Sequence, residues 1–282
     1  MLDILDTGPL STVQDLGRFG YADLGVGRSG AADLSSHRLA NRLVGNLERA
    51  ATIEVTFGGL RVRAVTDLTL AVTGALGPVH LDGRLQAANS PLRLPAGTEL
   101  ALGPPGVGLR TYLAVRGGID VEPVLGSRST DLLSGLGPPP LQRSQRLAIG
   151  TDTAADPLVD HAPVPPLPAE PVLRVLPGPR PEQLGVGALD RLLAATWTAT
   201  QDSNRVGVRL DGPALLADVP GDLPSDPLVP GAVQVPLNAR PLIFLADHPV
   251  TGGYPVLAVV RAADLGVAAQ LRPGQRVRFR TG

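Results

Sequence analysis

The densest set of chemically useful groups lies in the segment from Asp247 to Tyr254, which reads Asp-His-Pro-Val-Thr-Gly-Gly-Tyr. It offers a carboxylate at Asp247, a hydroxyl at Thr251 and a phenol at Tyr254. The glycines at 252 and 253 permit positive φ angles and let backbone N–H groups approach a ligand closely. The segment therefore predicts a ligand-binding loop or, as the commoner meaning of Gly-Gly, a tight turn between two strands.

Several classes of site are excluded by composition. Cysteine is absent, which removes thiol nucleophiles, disulfides and cysteine-based metal centres. Lysine is absent as well, so the chain has no Walker-type phosphate loop, no Schiff base and no attachment point for biotin. The only histidines are His37, His80, His161 and His248. Their spacing fits no metal site, and no metal is predicted.

A glycine pattern near the N-terminus, Gly25-Val-Gly27-Arg-Ser-Gly30, matches the dinucleotide fingerprint. That fingerprint must follow an apolar strand inside a β-α-β unit. The preceding residues 20–24 are not apolar, and no alternating β-α pattern follows. We therefore reject a Rossmann site.

A polar loop near the N-terminus gathers a second set of candidate groups, namely Gln14, Asp15, Arg18, Tyr21 and Asp23. Such a cluster is typical of a solvated Ω-loop, or of residues that line a site or an interface.

An amphipathic helix is predicted between Ser29 and Leu47, because apolar residues recur there at helical spacing. Ser29 is the expected cap, and Gly45-Asn46 is the expected stop. Asn41 lies beside the apolar stripe, where a buried amide is most often a structural bracket for loop backbone.

Most of the remaining chain is predicted to form short strands, because 34 Gly and 29 Pro accompany only 1 Trp, 3 Tyr and 4 Phe. The expected strands are 60–66, 68–73, 98–102, 109–115, 232–235, 241–246 and 256–260. Glu54 interrupts an apolar run and needs a partner such as Arg if it is buried. A further helix is expected from Pro181 to about Thr198, with Trp197 on its apolar face. The pattern favours a barrel or a sandwich.

The length of 282 residues suggests two domains. Residues 151–171 contain six prolines and are the predicted linker between domains at 1–150 and 172–282. A net charge of −1 gives no footprint for nucleic acid. No apolar run approaches 18 residues, and no basic leader precedes one, so we expect a soluble cytoplasmic protein.

Ordered motifs over almost the whole chain resemble the biotin-dependent carboxyltransferase family, which includes the C subunit of 5-oxoprolinase, allophanate hydrolase subunit 2 and the carboxyltransferase domain of urea carboxylase. The N-terminal and central motifs are Thr12-Val-Gln-Asp-Leu-Gly-Arg18, Ala40-Asn41, Tyr112-Leu-Ala-Val-Arg-Gly-Gly118 and Leu125-Gly-Ser-Arg-Ser-Thr130. The C-terminal motifs are Val229-Pro-Gly-Ala-Val-Gln-Val-Pro236, Thr251-Gly-Gly-Tyr-Pro255 and Val277-Arg-Phe279.

This resemblance implies a mainly β fold with a few helices, built as two tandem cyclophilin-like β-barrels. It implies the C subunit of an ATP-dependent 5-oxoprolinase, which opens the lactam of 5-oxoproline to L-glutamate with an A-like partner and a kinase-inhibitor-like B partner. ATP is then a co-substrate of the complex. One alternative is carboxyl transfer to urea or a similar amide from carboxybiotin on another chain; a second is a non-catalytic partner that regulates the kinase-inhibitor-like protein.

Site roles also follow from motif position. Arg205 is the first choice to bind the substrate carboxylate, and Arg18 is the second. The N–H groups of Gly252 and Gly253 are expected to stabilise oxyanion charge, with Asp247 as base or orienting group. The remaining candidates that orient the substrate are Gln14, Asn41, Gln234, Thr251 and Tyr254.

The sequence departs from its relatives at two places. Asn204 stands where relatives usually have Asp. Residues 135–146 replace a glycine-rich run.

Overall fold

The computed structural model describes residues 1–179, 185–215 and 224–282. Their contacts form two compact units, of which the first comprises 1–18, 29–131 and 135–166, and the second comprises 19–28, 132–134 and 167–282. The main division falls at 166/167, inside the predicted linker. The earlier part of that segment is fastened to the first unit, since the Ala162 N–H donates to the Asn89 carbonyl at 2.9 Å.

The first unit contains twelve strands among its described residues. They are β1 (Leu2–Thr7), β2 (Leu10–Gln14), β3 (Thr52–Thr56), β4 (Leu60–Ala64), β5 (Leu68–Gly74), β6 (Val79–Leu81), β7 (Arg84–Gln86), β8 (Pro91–Leu94), β9 (Glu99–Leu102), β10 (Arg110–Val115), β11 (Ile119–Asp120) and β12 (Arg146–Ile149). One sheet has the order β11-β12-β1-β4-β9-β6-β7, and the other has β2-β3-β10-β5-β8.

The two sheets share one core of aliphatic side chains. Ile4 and Val62 contribute to it from the seven-stranded sheet, and Ile53 and Leu113 from the five-stranded sheet, all fully buried. Strand β4 shows how the pattern works, because Leu60, Val62 and Ala64 are buried while the two arginines between them are exposed.

The predicted N-terminal helix is confirmed as α1 (Leu34–Leu43), but its predicted cap is wrong. Asp33 caps the helix by accepting from the Ser36 N–H at 3.1 Å. Ser29 has a φ of 53° and lies outside the helix. The physical reason is tertiary: the Tyr112 hydroxyl accepts from the Asp33 N–H at 2.7 Å and fixes the chain there.

The second unit contains a closed barrel of seven strands in the order β13-β20-β17-β18-β15-β14-β21. Its described strands are β13 (Val172–Pro177), β14 (Trp197–Ala199), β15 (Gly207–Asp211), β16 (Asp226–Pro227), β17 (Ala232–Gln234), β18 (Leu242–Phe244), β19 (Thr251–Gly252), β20 (Val256–Val260) and β21 (Arg276–Thr281). Strands β16 and β19 form a separate small ribbon. The mainly β prediction is confirmed, as are the three predicted apolar strands that become β17, β18 and β20.

The described helices of the second unit are α2 (Ala188–Ala194) and α3 (Leu265–Ala269). The predicted helix 181–198 is therefore too long where it can be checked, and its residues 181–184 lie outside the described residues. Trp197 belongs to β14 and not to the helix, because it pairs with Val277 of β21. Its ring is fully buried, and its indole N–H donates to the Leu192 carbonyl at 3.0 Å. Among the described helices, none is long and apolar enough to cross a membrane.

Candidate functional site

Two predicted site residues form a buried ion pair in the second unit. Asp247 follows β18, and Arg205 precedes β15. The Arg205 Nε donates to Asp247 Oδ2, and Nη2 donates to Oδ1, each at 2.9 Å. The Leu132 N–H also donates to Asp247 Oδ2, at 3.1 Å. The carboxylate is thus held in one orientation by a guanidinium and a backbone N–H, which suits an orienting group better than a base.

Asn204, where the resemblance led us to expect Asp, forms the turn that carries Arg205. Its Oδ1 accepts from the Val206 N–H at 2.8 Å and from the Gly207 N–H at 3.3 Å. An amide oxygen serves these two contacts as a carboxylate oxygen would. An asparagine therefore suffices for this part of the turn.

The predicted loop from Asp247 to Tyr254 is organised by Gln234. This buried side chain donates from Nε2 to the Tyr254 carbonyl at 2.8 Å. Gly252 packs against it, and a Cβ at Gly252 would lie 2.8 Å from Gln234 Nε2 and 2.8 Å from Leu228 Cδ1. Thr251 is exposed on the β19 ribbon.

Gly252 does not use the positive φ that a glycine permits, because its φ lies outside that region. Close packing is the reason for a glycine at this position.

A second centre lies in the first unit, around Arg18 and the chain segment 129–131. The Arg18 Nη2 donates to the Ser129 carbonyl at 2.6 Å, and Nη1 lies 3.9 Å from Asp131 Oδ2. The Gln14 Nε2 donates to the Thr130 carbonyl at 2.9 Å. Both predicted residues therefore converge on one short segment.

Several polar atoms in this centre are buried without a hydrogen-bond partner among the described residues. They are Arg18 Nε, Arg18 Nη1, Gln14 Oε1 and Thr130 Oγ1. Buried polar groups are nearly always hydrogen-bonded, and leaving one unpaired costs about 1–3 kcal/mol. Together they offer two guanidinium N–H donors of Arg18 and the amide oxygen of Gln14 as an acceptor. Those are the groups that recognise a carboxylate and an amide N–H.

The loop 135–146 also reaches this centre. Gly137 has a φ of 81°, and a Cβ there would lie 2.0 Å from the Ser129 carbonyl oxygen and 3.1 Å from Arg18 Nη2. The loop thus retains a glycine where a side chain would strike the Arg18 centre.

Asp15 positions the segment that Arg18 contacts, and sequence reasoning assigned it no specific role. Its Oδ1 accepts from the hydroxyls of Ser127 at 2.7 Å and Ser129 at 2.5 Å. Its Oδ2 accepts from the Arg128 N–H at 2.6 Å. The serine-rich motif Gly126-Ser-Arg-Ser-Thr130 was the available signal, but nothing local in the sequence joins it to Asp15.

Asn41 lies in a network of its own. Its Nδ2 donates to the Ala50 carbonyl at 2.8 Å, and its Oδ1 accepts from Asn46 Nδ2 at 3.0 Å. One turn earlier, His37 contacts the Thr52 hydroxyl and the Glu48 carbonyl. Burial lowers the pKa of His37. The bracket interpretation of Asn41 matches these contacts.

Glu54 is fully buried with the partner that its burial requires. Its carboxylate lies 3.5 Å from Arg110 Nε and accepts from the Tyr112 hydroxyl at 2.8 Å. Burial, with the Glu54 charge as the next cause, raises the pKa of Tyr112 well above its usual value. The described residues contain no cluster of three His, Cys, Asp or Glu side chains suited to a metal ion.

The fold and these motifs define the class of protein. Residues 24–281 match the family described as "Carboxyltransferase domain, subdomain A and B". The match covers most of the chain, so the chain belongs to this family.

Individual relatives are similar along nearly the whole chain. The C subunit of the 5-oxoprolinase of Escherichia coli (strain K12) is 39% identical over 282 residues, covering 99% of this chain and 90% of that protein. The crystal structure of TTHA0988 has a TM-score of 0.90 and 38% identity. The structure of the K. lactis urea amidolyase has a TM-score of 0.92 and 30% identity. Each match covers 99% of this chain, but the chain spans only 55% of TTHA0988 and 18% of the amidolyase.

Proposed function

We propose that this chain is the C subunit of an ATP-dependent 5-oxoprolinase, which opens the lactam of 5-oxoproline to L-glutamate together with A and B subunits. The observation that carries the proposal is the similarity to the E. coli C subunit, because it extends over 99% of this chain and 90% of that protein. A match that is nearly end to end supports the same place in a complex. We place the complex in the cytoplasm, where ATP is available.

ATP supplies the driving force as a co-substrate of the complex. A lactam resists water because its C–N bond has partial double-bond character. The γ-phosphoryl group passes to the lactam carbonyl oxygen, water adds to the carbon, and the C–N bond breaks as the ring nitrogen takes a proton. A second water hydrolyses the resulting acyl phosphate, which gives glutamate, ADP and phosphate. No biotin is attached to this chain, because it has no lysine.

In the first unit, Arg18 is the proposed receiver of the substrate carboxylate, in preference to Arg205. Arg18 Nε and Nη1 have no hydrogen-bond partner among the described residues, whereas Arg205 already binds both oxygens of Asp247. The Gln14 Oε1 is the proposed acceptor for the lactam N–H, since it too is buried without a hydrogen bond to any described residue.

In the second unit, the proposed roles belong to the loop after β18. Asp247 is the proposed orienting group and is itself held by Arg205. The exposed Thr251 offers a hydroxyl to the substrate. The N–H groups of Gly252 and Gly253 are the proposed donors to the oxyanion. Gln234 and Tyr254 hold the loop through their hydrogen bond. Asn41 is assigned no contact with substrate, because both ends of its amide already have protein partners.

The test is glutamate release from 5-oxoproline and ATP by the chain mixed with its A-like and B-like partner proteins, compared with mixtures that omit one protein at a time. Release only by the full mixture supports the proposal. A complex that forms and releases no glutamate contradicts it.

The site assignment has its own variants. Arg18→Gln is expected to raise the KM for 5-oxoproline at least about thirtyfold, because loss of a buried charged hydrogen bond costs about 2 kcal/mol or more. Arg84→Gln, on the exposed strand β7, is the matched control. An unchanged KM in folded Arg18→Gln would remove Arg18 from the site.

A second candidate function is carboxyl transfer from carboxybiotin on another chain to urea or a similar amide. It is favoured by the family description and by the TM-score of 0.92 with the urea amidolyase. Carboxylated urea formed from a carboxybiotin carrier protein, in the absence of the oxoprolinase partners, would support this alternative.

A further inference from the structure

The solvent-facing side of the seven-stranded sheet in the first unit carries a cleft of about 660 Å³ with four arginines in its wall. We call it the arginine cleft. Its lining residues are Asp3, Ile4, Leu5, Arg61, Arg63, Arg143, Ser144 and Arg146. None of the proposed roles above uses these residues.

The strand order brings the arginines together. Strand β1 lies between β12 and β4, and in these ladders Asp3 is opposite Arg146 on one side and Arg63 on the other. Alternation along β4 points Arg61 and Arg63 outward. The cleft is therefore a regular product of the sheet rather than of a loop conformation.

The charge of the cleft is positive after its internal ion pairs are counted. Asp3 binds Arg146 at 2.6 and 2.9 Å. Glu99 binds Arg61 at 2.7 Å and lies 3.8 Å from Arg63. Four guanidinium groups against these two carboxylates leave a net charge of +2, while the whole chain carries −1.

The two arginines least engaged in the cleft are Arg63 and Arg143. Arg63 has only the 3.8 Å contact with Glu99 among the described residues, and the Arg143 side chain has no hydrogen bond or ion pair within the described part of the chain. These two guanidinium groups are the ones available to an incoming anion.

The dimensions favour an extended acidic segment over a single phosphate. Neighbouring strands are about 4.8 Å apart, so the backbones of β4 and β12, with β1 between them, stand about 10 Å apart. Arg63 lies on β4, and Arg143 lies in the segment just before β12. One phosphate fills only a small part of a cleft of about 660 Å³. Acidic side chains at alternate positions of an extended peptide repeat about every 7 Å and can meet both rows. Among the described residues, the lining includes no aromatic side chain on which a nucleotide base would stack.

We propose that the arginine cleft is a docking surface for an acidic peptide segment of a partner protein in the complex. Arg63 and Arg143 bind its carboxylates, while Asp3 and Glu99 hold Arg146 and Arg61 in place. The identity of the partner rests on the proposed function, but the acidic chemistry of the ligand does not.

The first experiment uses the full chain and a fluorescent hexaglutamate peptide, with a hexaglutamine peptide as the uncharged comparison. Binding of hexaglutamate is expected to weaken between about 50 and 300 mM salt, because exposed charges are screened. Arg63→Glu with Arg143→Glu should weaken it at least tenfold. Arg84→Glu with Arg93→Glu has the same change in charge on other exposed strand positions and should stay within twofold.

Three results overturn the inference. One is an equal loss in both double variants, which indicates general attraction to the chain. Another is equal binding of hexaglutamine. The third is binding of pyrophosphate without binding of hexaglutamate, which would reassign the cleft to small phosphate anions.

Assembly with the partner proteins separates this inference from the proposed function. If the complex assembles only when Arg63 and Arg143 are present but releases no glutamate, the docking surface is supported and the oxoprolinase function is contradicted. If the Arg63→Glu, Arg143→Glu variant assembles and releases glutamate as the wild type does, the docking surface is contradicted and the oxoprolinase function is supported.

Discussion

Arg205 and Asp247 form a two-point ion pair in which Nε to Oδ2 and Nη2 to Oδ1 are both 2.9 Å long. The exposed fractions of the two side chains are 2% and 0%. Because both charges are removed from water, each depends on the other. This dependence makes the pair suitable for a test of stability that is separate from any test of activity.

Removing one partner of the pair is expected to destabilise the chain more than removing both. Arg205→Met or Asp247→Leu removes the opposite charge from a buried ionised side chain and should cost about 3–5 kcal/mol, whereas the double variant should cost less than the sum. Urea unfolding of the four proteins measures the coupling. The exposed pair Arg240 and Asp211 is the control, where Arg240→Met should cost no more than about 1 kcal/mol. Additive losses at Arg205 and Asp247 would contradict this interpretation.

Gly137→Ala is expected to disrupt the Arg18 centre. Its Cβ would lie 2.0 Å from the Ser129 carbonyl oxygen, which already accepts from Arg18. Gly135→Ala is the matched control, because its φ of 71° is similar and a Cβ there meets nothing within 4 Å. Both variants pay about 1–2 kcal/mol for a left-handed backbone. We expect Gly137→Ala to lose clearly more free energy of unfolding and to raise the KM for 5-oxoproline. Equal losses would show that the contact is unimportant.

Gly252→Ala is expected to displace the Gln234 amide from the Tyr254 carbonyl. The new methyl group would lie 2.8 Å from both Gln234 Nε2 and Leu228 Cδ1, and forced contacts of this kind cost about 1–3 kcal/mol. Gly106→Ala is a fair comparison, since that position has neither a positive φ nor a neighbour within 4 Å. Turnover by the assembled complex and the free energy of unfolding should both fall for Gly252→Ala only. A fully active Gly252→Ala complex would argue against a precise loop position.

His37 should make the chain less stable in mild acid. Burial lowers its folded pKa below the ordinary value of 6.5, so the unfolded chain takes up the proton first. Stability from this group is complete above pH 6.5 and is lost as the pH falls towards the folded pKa. Unfolding measured from about pH 7.5 to about pH 5 should show a steeper decline for the wild type than for His37→Gln. Parallel curves for the two proteins would rule out His37 as the source.

Local patterns predicted the strands well, because each needs only alternation and a turn. The runs at 232–235 and 256–260 became β17 and β20, and the turn glycine at Gly45 follows α1 with a φ of 69°. The helix cap was predicted wrongly because Ser29 and Asp33 are both residue types that cap helices well. The Tyr112 hydroxyl, which is far away in sequence, decides between them.

The site could be predicted only as a set of separate motifs. Sequence pointed to Arg205 and Asp247 individually, but their pairing depends on how the barrel closes. The role of Asp15 was missed because its partners Ser127 and Ser129 belong to a segment more than a hundred positions later. Such contacts have no local periodicity or spacing from which they could be predicted.

The barrel of the second unit is sealed by a parallel pairing of its first and last strands, in which Val172 lies opposite Arg278 and Val175 opposite Thr281. This seam cannot form until the last strand has been synthesised. It joins residues near the two ends of the continuous segment 167–282, and loop closure over so long a stretch slows folding. Until then the edges of β13 and β14 that β21 will occupy have no strand partner, so the nascent unit is open to pairing with other chains. We expect the seam, rather than the hydrophobic interior, to set the rate at which this unit reaches its native state.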